Sequence, residues 1–270
     1  MKQELFDLNG KNIAITGGAG VLGAALAKGL SEAGARVAIL DLAEDRAVEV
    51  AESLGPEHRA AGINVLDRPS IQEALDFCVT EMGNVDILVN GAGGNHPKAT
   101  TGIDMDFFDI TKDSLEFVTG LNLTGTIIPS QIFGRHMAKN KVGCILNISS
   151  MNAFRPLTRI PAYSAAKAAV SNFTQWLAVH MAQEYSADIR VNAIAPGFFL
   201  TTQNRFLLTD EKTGQLTNRG QQIIDHTPQG RFGKPEDLIG TAVWLVSDAT
   251  KFVTGIVVPI DGGFSAFSGV

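Results

Sequence analysis

An α/β fold, a doubly wound parallel sheet of about seven strands with helices on both faces, is predicted by three features of this sequence. Short apolar runs alternate with longer stretches of helical period along almost the whole chain. A helix between successive strands implies right-handed crossovers, which make the strands parallel. The distinctive residues, Gly17 to Gly23, Asp41, Asn90, Ser150 and Pro196-Gly197, all follow strands. Ligands of such sheets bind outside the carboxyl ends of the strands, so a single site is expected there.

The first strand is Asn12 to Thr16, and it runs into a turn of Gly17, Gly18, Ala19, Gly20, Val21, Leu22 and Gly23. A helix follows, with Val21, Leu22, Ala25, Leu26 and Leu30 facing inward and Gly34 at its C-terminal end. The second strand, Arg36 to Leu40, ends in Asp41. A helix over Glu44 to Leu54 leads to a short third strand ending near Ile63-Asn64-Val65, and Asp67 with Pro69 opens the next helix. Val85 to Val89 is the fourth strand. Residues 111–139 read as helical, broken at Gly120 to Gly125 and again near Pro129. The fifth strand, Cys144 to Ile148, ends in Ser149-Ser150, and its helix runs from Tyr163 to about Tyr185. Ile189 to Ile194 is the sixth strand, Pro235 opens the final helix, and Gly255 to Ile260 is the last strand.

The chain has 270 residues, 45% of them hydrophobic and 19% charged, which suits one large buried core and a single domain over 1–270. With a net charge of −6 and no basic run, it has nothing to hold a phosphate backbone, and nucleic acid is excluded as a partner. No apolar stretch approaches the roughly 20 residues of a membrane span. Cys78 and Cys144 sit in apolar segments and read as reduced core thiols; with no signal-peptide pattern this points to the cytoplasm. The five histidines form no ligand-spaced cluster, so no metal site is expected.

Strand, glycine turn, helix, strand and terminal acid together make a dinucleotide-binding βαβ unit. Glycines let the backbone approach a pyrophosphate, and the helix N-terminus offers unpaired N–H groups with a partial positive charge. Taken alone, the glycines would also suit an ordinary tight turn. Asp41 would accept hydrogen bonds from the adenosine ribose and repel a 2′-phosphate. Its neighbour Leu42 brings no compensating charge, and the nearest basic residue, Arg46, falls in the following helix, so NAD is predicted over NADP.

Tyr163 and Lys167 are four apart on one helical face, which sets a phenol beside an ammonium. A phenol with a pKa of about 10 carries protons poorly at neutral pH, and an adjacent positive charge is expected to lower that value. With the Ser150 hydroxyl arriving from the strand end, this is equipment for moving a proton on or off an alcohol oxygen.

On these residues the chain resembles the short-chain dehydrogenase/reductase family over almost all of its length, with a Rossmann-type fold. Tyr163 and Lys167 match the family's YxxxK, Ser150 its serine and Asn122 its asparagine. The resemblance implies that Tyr163 is the acid/base, that Lys167 also bonds the nicotinamide ribose, and that Ser150 holds the reacting oxygen. Asn122 would hold a water linking Lys167 to solvent. It further implies that Asn64 and Val65 lie at the adenine edge and that Asn90 follows the fourth strand. The turn Pro196-Gly197-Phe198-Phe199-Leu200-Thr201 would grip the carboxamide. Two departures stand out. The glycine pattern is Gly18-x-Gly20-x-x-Gly23 with Val21 at the usual middle glycine, and Asn90-Gly91-Ala92-Gly93 replaces the usual NNAG.

The substrate loops offer Asn95, His96 and Lys98, then Asn152, Arg155 and Arg159, then Gln203, Asn204 and Arg205, a polar and partly cationic set. Arginine forks suit a carboxylate, and amides with a histidine suit vicinal hydroxyls. For each of these residues a solvated loop side chain is the alternative. The loop wording resembles the family branch described as D-mannonate oxidoreductase, or fructuronate reductase, implying a sugar-acid substrate. Gluconate 5-dehydrogenase and polyol dehydrogenases of the same family are the alternatives, and a non-catalytic NAD-binding regulator is the alternative of a different kind. Residues 203–230, with Gly214, Gly220, Pro228 and Gly230, are expected to form a helical lid. In the family, apolar tails such as Phe264 to Val270 often cross a tetramer interface, which implies a homotetramer.

Overall fold

The structure, a computed structural model, describes residues 4–201, 205–210 and 213–269. Its sheet has seven strands in the order β3-β2-β1-β4-β5-β6-β7, every neighbouring pair parallel. The strands are β1 (Asn12–Thr16), β2 (Arg36–Asp41), β3 (Arg59–Gly62), β4 (Ile87–Asn90), β5 (Gly143–Ile148), β6 (Ile189–Pro196) and β7 (Val257–Ile260). Strands β1, β4, β5 and β6 are buried along almost their full length, as a sheet covered on both faces requires. The order reverses between β1 and β4, where one half of the sheet passes to the other.

Helices α1 (Val21–Glu32), α2 (Glu44–Leu54) and α9 (Ile239–Val246) belong to one face, and α3 (Arg68–Met82), α5 (Gly125–Asn140) and α6 (Pro161–Glu184) to the other. Two apolar cores result. Leu26, Leu30, Ile39 and Leu245 sit in the first, and Ile71, Phe133, Ile145 and Met181 in the second. Cys78 and Cys144 are both free and buried, and desolvation pushes the Cys78 thiol up to about 12. Among the described residues, no helix is long and apolar enough to cross a membrane.

Local signals account for most boundaries. The Asp67 carboxylate caps α3 by accepting from Ser70 N at 3.2 Å, with Pro69 in the first turn. Gly34, just past α1, has φ +104°, the left-handed conformation a helix exit favours in glycine. Two expectations change. The third strand ends at Gly62, just short of the Ile63-Asn64-Val65 stretch expected to close it, because its register with β2 runs out at Asp41 and the backbone then turns into the α3 cap. Pro129 does not break the helix. It lies inside α5, one turn from the start, where only a single intrahelical bond is forfeited. The break at Gly120 to Gly125 is present, as a π-turn (Gly120–Thr124) between α4 (Lys112–Thr119) and α5.

The region after β6 carries two short helices, α7 (Arg205–Leu208) and α8 (Asn218–Asp225). Gln203 and Asn204, expected in the substrate pocket, lie outside the described residues. The C-terminal tail packs on its own chain. Phe264 meets Phe198 edge to face at 5.2 Å and His226 at 6.1 Å, and Phe267 meets His226 at 6.0 Å.

Candidate active site

The glycine turn joins the end of β1 to α1 at the point where the strand order reverses. Gly17 has φ +67°, and a Cβ there would lie 2.7 Å from the Ala92 backbone of the loop after β4. A Cβ on Gly23 would collide with the Gly17 carbonyl, so this glycine allows helix and turn to close on each other. Gly20 is the N-cap of α1. No side chain caps this helix and no acid occupies its first turn, which leaves its N–H groups to an external anion. With Val21 in place of the usual glycine, the Gly20 N–H still closes the turn onto Gly17 O at 3.2 Å. A dinucleotide pyrophosphate fits this cradle.

Asp41 ends β2 beside that turn. One carboxylate oxygen accepts from Ala19 N at 3.1 Å and the other from Ala43 N at 3.1 Å, so Asp41 also shapes the glycine turn. Leu42 is 78% exposed and lies next to it. Arg46, in the first turn of α2, donates to Ala19 O at 3.2 Å, which brings a guanidinium to the same turn. The side chains of Asn64 and Val65 divide: Asn64 is exposed, whereas Val65 is buried in the second core against Gly125 and can offer a ligand only its backbone.

The four residues predicted for proton chemistry come together at the ends of β4 and β5. Asn122, fully buried in the π-turn, accepts from Gly94 N at 3.1 Å and donates to Gly94 O at 2.7 Å and Val118 O at 2.8 Å. The Lys167 ammonium donates to Ile148 O at 2.7 Å and lies 5.6 Å from the Tyr163 ring centroid. Ser150, at the strand end, hydrogen-bonds the Tyr163 hydroxyl, and its Oγ also accepts from Asn152 N at 3.3 Å.

Gly93, which the sequence reading treats only as part of a structural motif, closes the group. A Cβ there would lie 2.7 Å from Asn122 Oδ1 and 3.2 Å from Lys167 Nζ. The Asn122 amide is held by three hydrogen bonds and cannot swing aside cheaply. Gly93→Ala is therefore expected to displace the Lys167 ammonium and cut kcat by roughly tenfold or more with little change in melting temperature. Steady-state kinetics beside a thermal melt check this.

The charge effects differ from expectation in one respect. Burial pushes the Tyr163 phenol above its ordinary pKa, and the Ser150 hydrogen bond opposes this; the lysine does not set the direction. Burial depresses Lys167 from 10.5 to about 8.

Asn90 is buried beneath the site. It donates to Asn147 Oδ1 at 2.8 Å and to Ser130 Oγ at 2.9 Å, and Asn147 donates to Thr174 Oγ1 at 2.9 Å. Ser130 passes the chain to Thr126 O, and Thr126 Oγ1 donates to Asn122 O at 2.8 Å. The Asn90 amide thus ties β4 and β5 to α5 and α6, and its donors are spent on the scaffold. At the end of β6, a Cβ on Gly197 would lie 2.6 Å from Asp261 Cα, so the Pro196-Gly197 turn is pressed onto the segment after β7. Phe199 is buried in the first core with its ring against Gly233, to which its backbone is bridged. The backbone of Thr201 accepts from Arg205 N at 3.0 Å.

The predicted substrate residues are only partly free. His96 Nδ1 accepts from Lys98 N at 3.2 Å and its ring meets Phe117 edge to face at 5.3 Å, while Asn95 donates to Thr100 Oγ1 at 2.8 Å. Arg155 donates Nε–H to Ser265 O at 3.2 Å, which binds it to the C-terminal tail. Asn152 is buried with its Oδ1 unpaired, and Arg159 is exposed.

A glycine cradle at a strand-order reversal, with an acid at the end of the next strand and a serine–tyrosine–lysine–asparagine group facing it, defines a dinucleotide-dependent oxidoreductase. The chain belongs to the short-chain dehydrogenase/reductase family. The family profile described as Enoyl-(Acyl carrier protein) reductase matches residues 17–265. A Bacillus subtilis (strain 168) protein named uncharacterized oxidoreductase UxuB is 46% identical over 98% of both chains. The 5-keto-D-gluconate 5-reductase of Escherichia coli (strain K12) is 37% identical over 96% of this chain and 97% of its own. A solved Haemophilus influenza structure with bound NAD, provisionally described as a D-mannonate oxidoreductase, superposes with a TM-score of 0.90 at 45% identity, covering all of both chains.

Proposed function

We propose that this protein is an NAD(H)-dependent reductase of keto sugar acids that interconverts D-fructuronate and D-mannonate. The observation that carries this reading is the meeting of Asn122 and Lys167 at Gly93, with Tyr163 beside the lysine and hydrogen-bonded by Ser150. The polar substrate loops and the relatives' names support the sugar-acid class. Reduction of 5-ketogluconate is the second reading, favoured by the 37% identical reductase of that compound.

When bound, the nicotinamide supplies or accepts the hydride. The protein's part is the proton. Tyr163, kept as a neutral phenol by burial, gives its proton to the carbonyl oxygen as the carbon takes the hydride. Ser150 donates to the same oxygen and stabilises the charge developing there. Lys167 faces the ring of Tyr163 and bonds the nicotinamide ribose, and Asn122 holds a water through which Lys167 exchanges protons with solvent. The α1 N-terminus and Gly17, Gly18, Gly20 and Gly23 hold the pyrophosphate, and the Pro196–Thr201 turn holds the carboxamide.

The test is NADH oxidation assayed with D-fructuronate, 5-keto-D-gluconate and neutral ketoses. Preference for the first supports the proposal, preference for the second moves the assignment to the gluconate reaction, and equal rates on neutral ketoses remove the sugar acid from it. For the cofactor, Asp41→Ser should lower the NADH-over-NADPH ratio of kcat/KM by about tenfold or more. It removes the carboxylate that repels a 2′-phosphate and leaves Arg46 at the turn. Measuring both cofactors on both proteins checks this.

In the same reading α7 and α8 form a lid on a single-domain enzyme of the cytoplasm. The aromatic row on α6, where Trp176 stacks on His180 at 4.7 Å and is 57% exposed, supports assembly into a homotetramer.

A further inference from the structure

Strand β5 is tied to helix α6 by polar side chains as well as by apolar packing. Side chains alternate along a strand, which turns Ile145, Asn147 and Ser149 to one face, and Ile145 lies in the core that α6 covers. Asn147 donates to Thr174 Oγ1 at 2.9 Å. Ser149 is 1% exposed, with its Oγ 3.1 Å from Lys167 O and 2.7 Å from Ser171 Oγ; Ser171 Oγ in turn lies 3.2 Å from Lys167 O. The Ser149 N–H donates to Ile194 O at 2.8 Å, so the residue is fixed by the sheet. Neither serine has a part in the proton chemistry described above.

Two hydroxyl hydrogens serve these three contacts. Oxygens 2.7 Å apart need a hydrogen between them, so one hydrogen joins Ser149 to Ser171 and the other goes to Lys167 O. In both arrangements Ser149 links strand to helix, directly at Lys167 O or through Ser171. Without the Ser149 hydroxyl the link is gone, and Ser171 bonds only the Lys167 carbonyl of its own helix. Without the Ser171 hydroxyl, Ser149 still bonds Lys167 O across the gap. The other end of the same lysine is held by the neighbouring strand residue, where Nζ donates to Ile148 O at 2.7 Å. Apolar contacts are non-directional and let a helix slide along a strand, whereas a hydrogen bond accepts only a narrow range of distance and angle.

We propose that Ser149 is a positioning residue for the proton transfer, its hydroxyl fixing α6 on the end of β5 so that Tyr163 stays in reach of Ser150 and the Lys167 ammonium stays at Ile148 O. This rests on the reading of Tyr163 as the acid, whichever keto acid is the substrate. Ser149 touches neither substrate nor cofactor. It acts through the helix that carries Tyr163 and Lys167, one turn apart, and it is the residue next to Ser150 on the strand.

The test uses the full chain with Ser149→Ala, Ser149→Thr and Ser171→Ala. Single-turnover oxidation of NADH is followed with D-fructuronate, 5-keto-D-gluconate and D-fructose, beside NADH titrations and thermal melts. Ser149→Ala should slow the turnover by about tenfold through a small displacement of the catalytic groups, while the half-saturating ketone concentration and the Kd for NADH stay within about threefold. Loss of one hydrogen bond should lower its melting temperature by only about 2–4 °C. Ser171→Ala should stay within about twofold of the wild-type rate, because the bond from strand to helix survives. Ser149→Thr keeps the hydroxyl and should turn over faster than Ser149→Ala, even where its added methyl lowers the melting temperature. A Ser149→Ala protein as fast as the wild type overturns the proposal and leaves the Tyr163 reading standing. Equal slowing in Ser149→Ala and Ser171→Ala also overturns it, since the hydroxyls would then only fill the interface. So does a Ser149→Thr protein that melts with the wild type and is as slow as Ser149→Ala. A wild type that oxidises NADH with none of the three compounds removes the reaction, and the proposal with it.

Discussion

Tyr163→Phe should bind NADH as the wild type does and lose about 10²- to 10⁴-fold in kcat, the range a positioned general acid contributes. The substitution removes one oxygen from a ring that stays packed beside Ala162 and Leu115, so the fold should survive. Fluorescence titration with NADH and single-turnover kinetics separate binding from chemistry. Unchanged turnover would strip Tyr163 of its role. The direction of the phenol's shift adds a pH signature. Burial raises its pKa, so the neutral acid needed for ketone reduction is present at neutral pH, while the phenolate needed for alcohol oxidation forms only on the alkaline side. In the wild type, oxidation of D-mannonate should therefore quicken as pH rises, whereas reduction should not. Because Tyr163 and Lys167 lie side by side, the apparent values belong to the pair.

How much of this site is readable along the chain depends on the range of the interaction. The glycine turn, Asp41, the Asp67 cap and the Tyr163–Lys167 spacing are local signals: each depends on residues within one turn or one βαβ unit, and the structure places them as their spacing requires. Gly93 is different. Its need for a bare Cα comes from Asn122 and Lys167, which reach it from two helices far along the chain. Asn90 was readable as a strand-end residue, yet its amide works inside the scaffold. That follows from the register placing it opposite Asn147, which no periodicity reveals. The phenol's pKa departs from the expected direction for a related reason. Sequence spacing shows the lysine beside the tyrosine but not the burial that opposes it.

Lys167→Met should separate the two demands on that lysine, being more stable than the wild type below pH 8 and nearly inactive. The side chain is 3% exposed, and burial lowers its pKa from 10.5 to about 8, so the fold prefers the neutral amine. Below pH 8 the charge is present in folded and unfolded chains alike, and its desolvation costs on the order of 3 kcal/mol. Between pH 8 and about 10.5 the unfolded chain binds the proton that the folded one has released, so stability rises with pH and the cost fades. The wild-type curve alone would hide this, because Cys78, raised from 9.0 to about 12, works in the opposite sense above pH 9. The difference between wild type and variant isolates the lysine: the stabilisation conferred by Lys167→Met should be largest below pH 8 and shrink as pH approaches 10.5. Denaturant unfolding across that range measures it, and a difference independent of pH would mean that the Lys167 pKa is the same in the folded and the unfolded protein. Activity should move the other way. Without the ammonium that faces Tyr163, kcat/KM should fall by about 10²-fold or more. Arginine should not restore it, because its fork cannot fit between Gly93 and the Ile148 carbonyl, where the lysine Nζ already lies at 2.7 Å from that oxygen. A stabilising substitution that abolishes turnover is the signature of a buried charge retained for chemistry, at a cost to the fold that holds it.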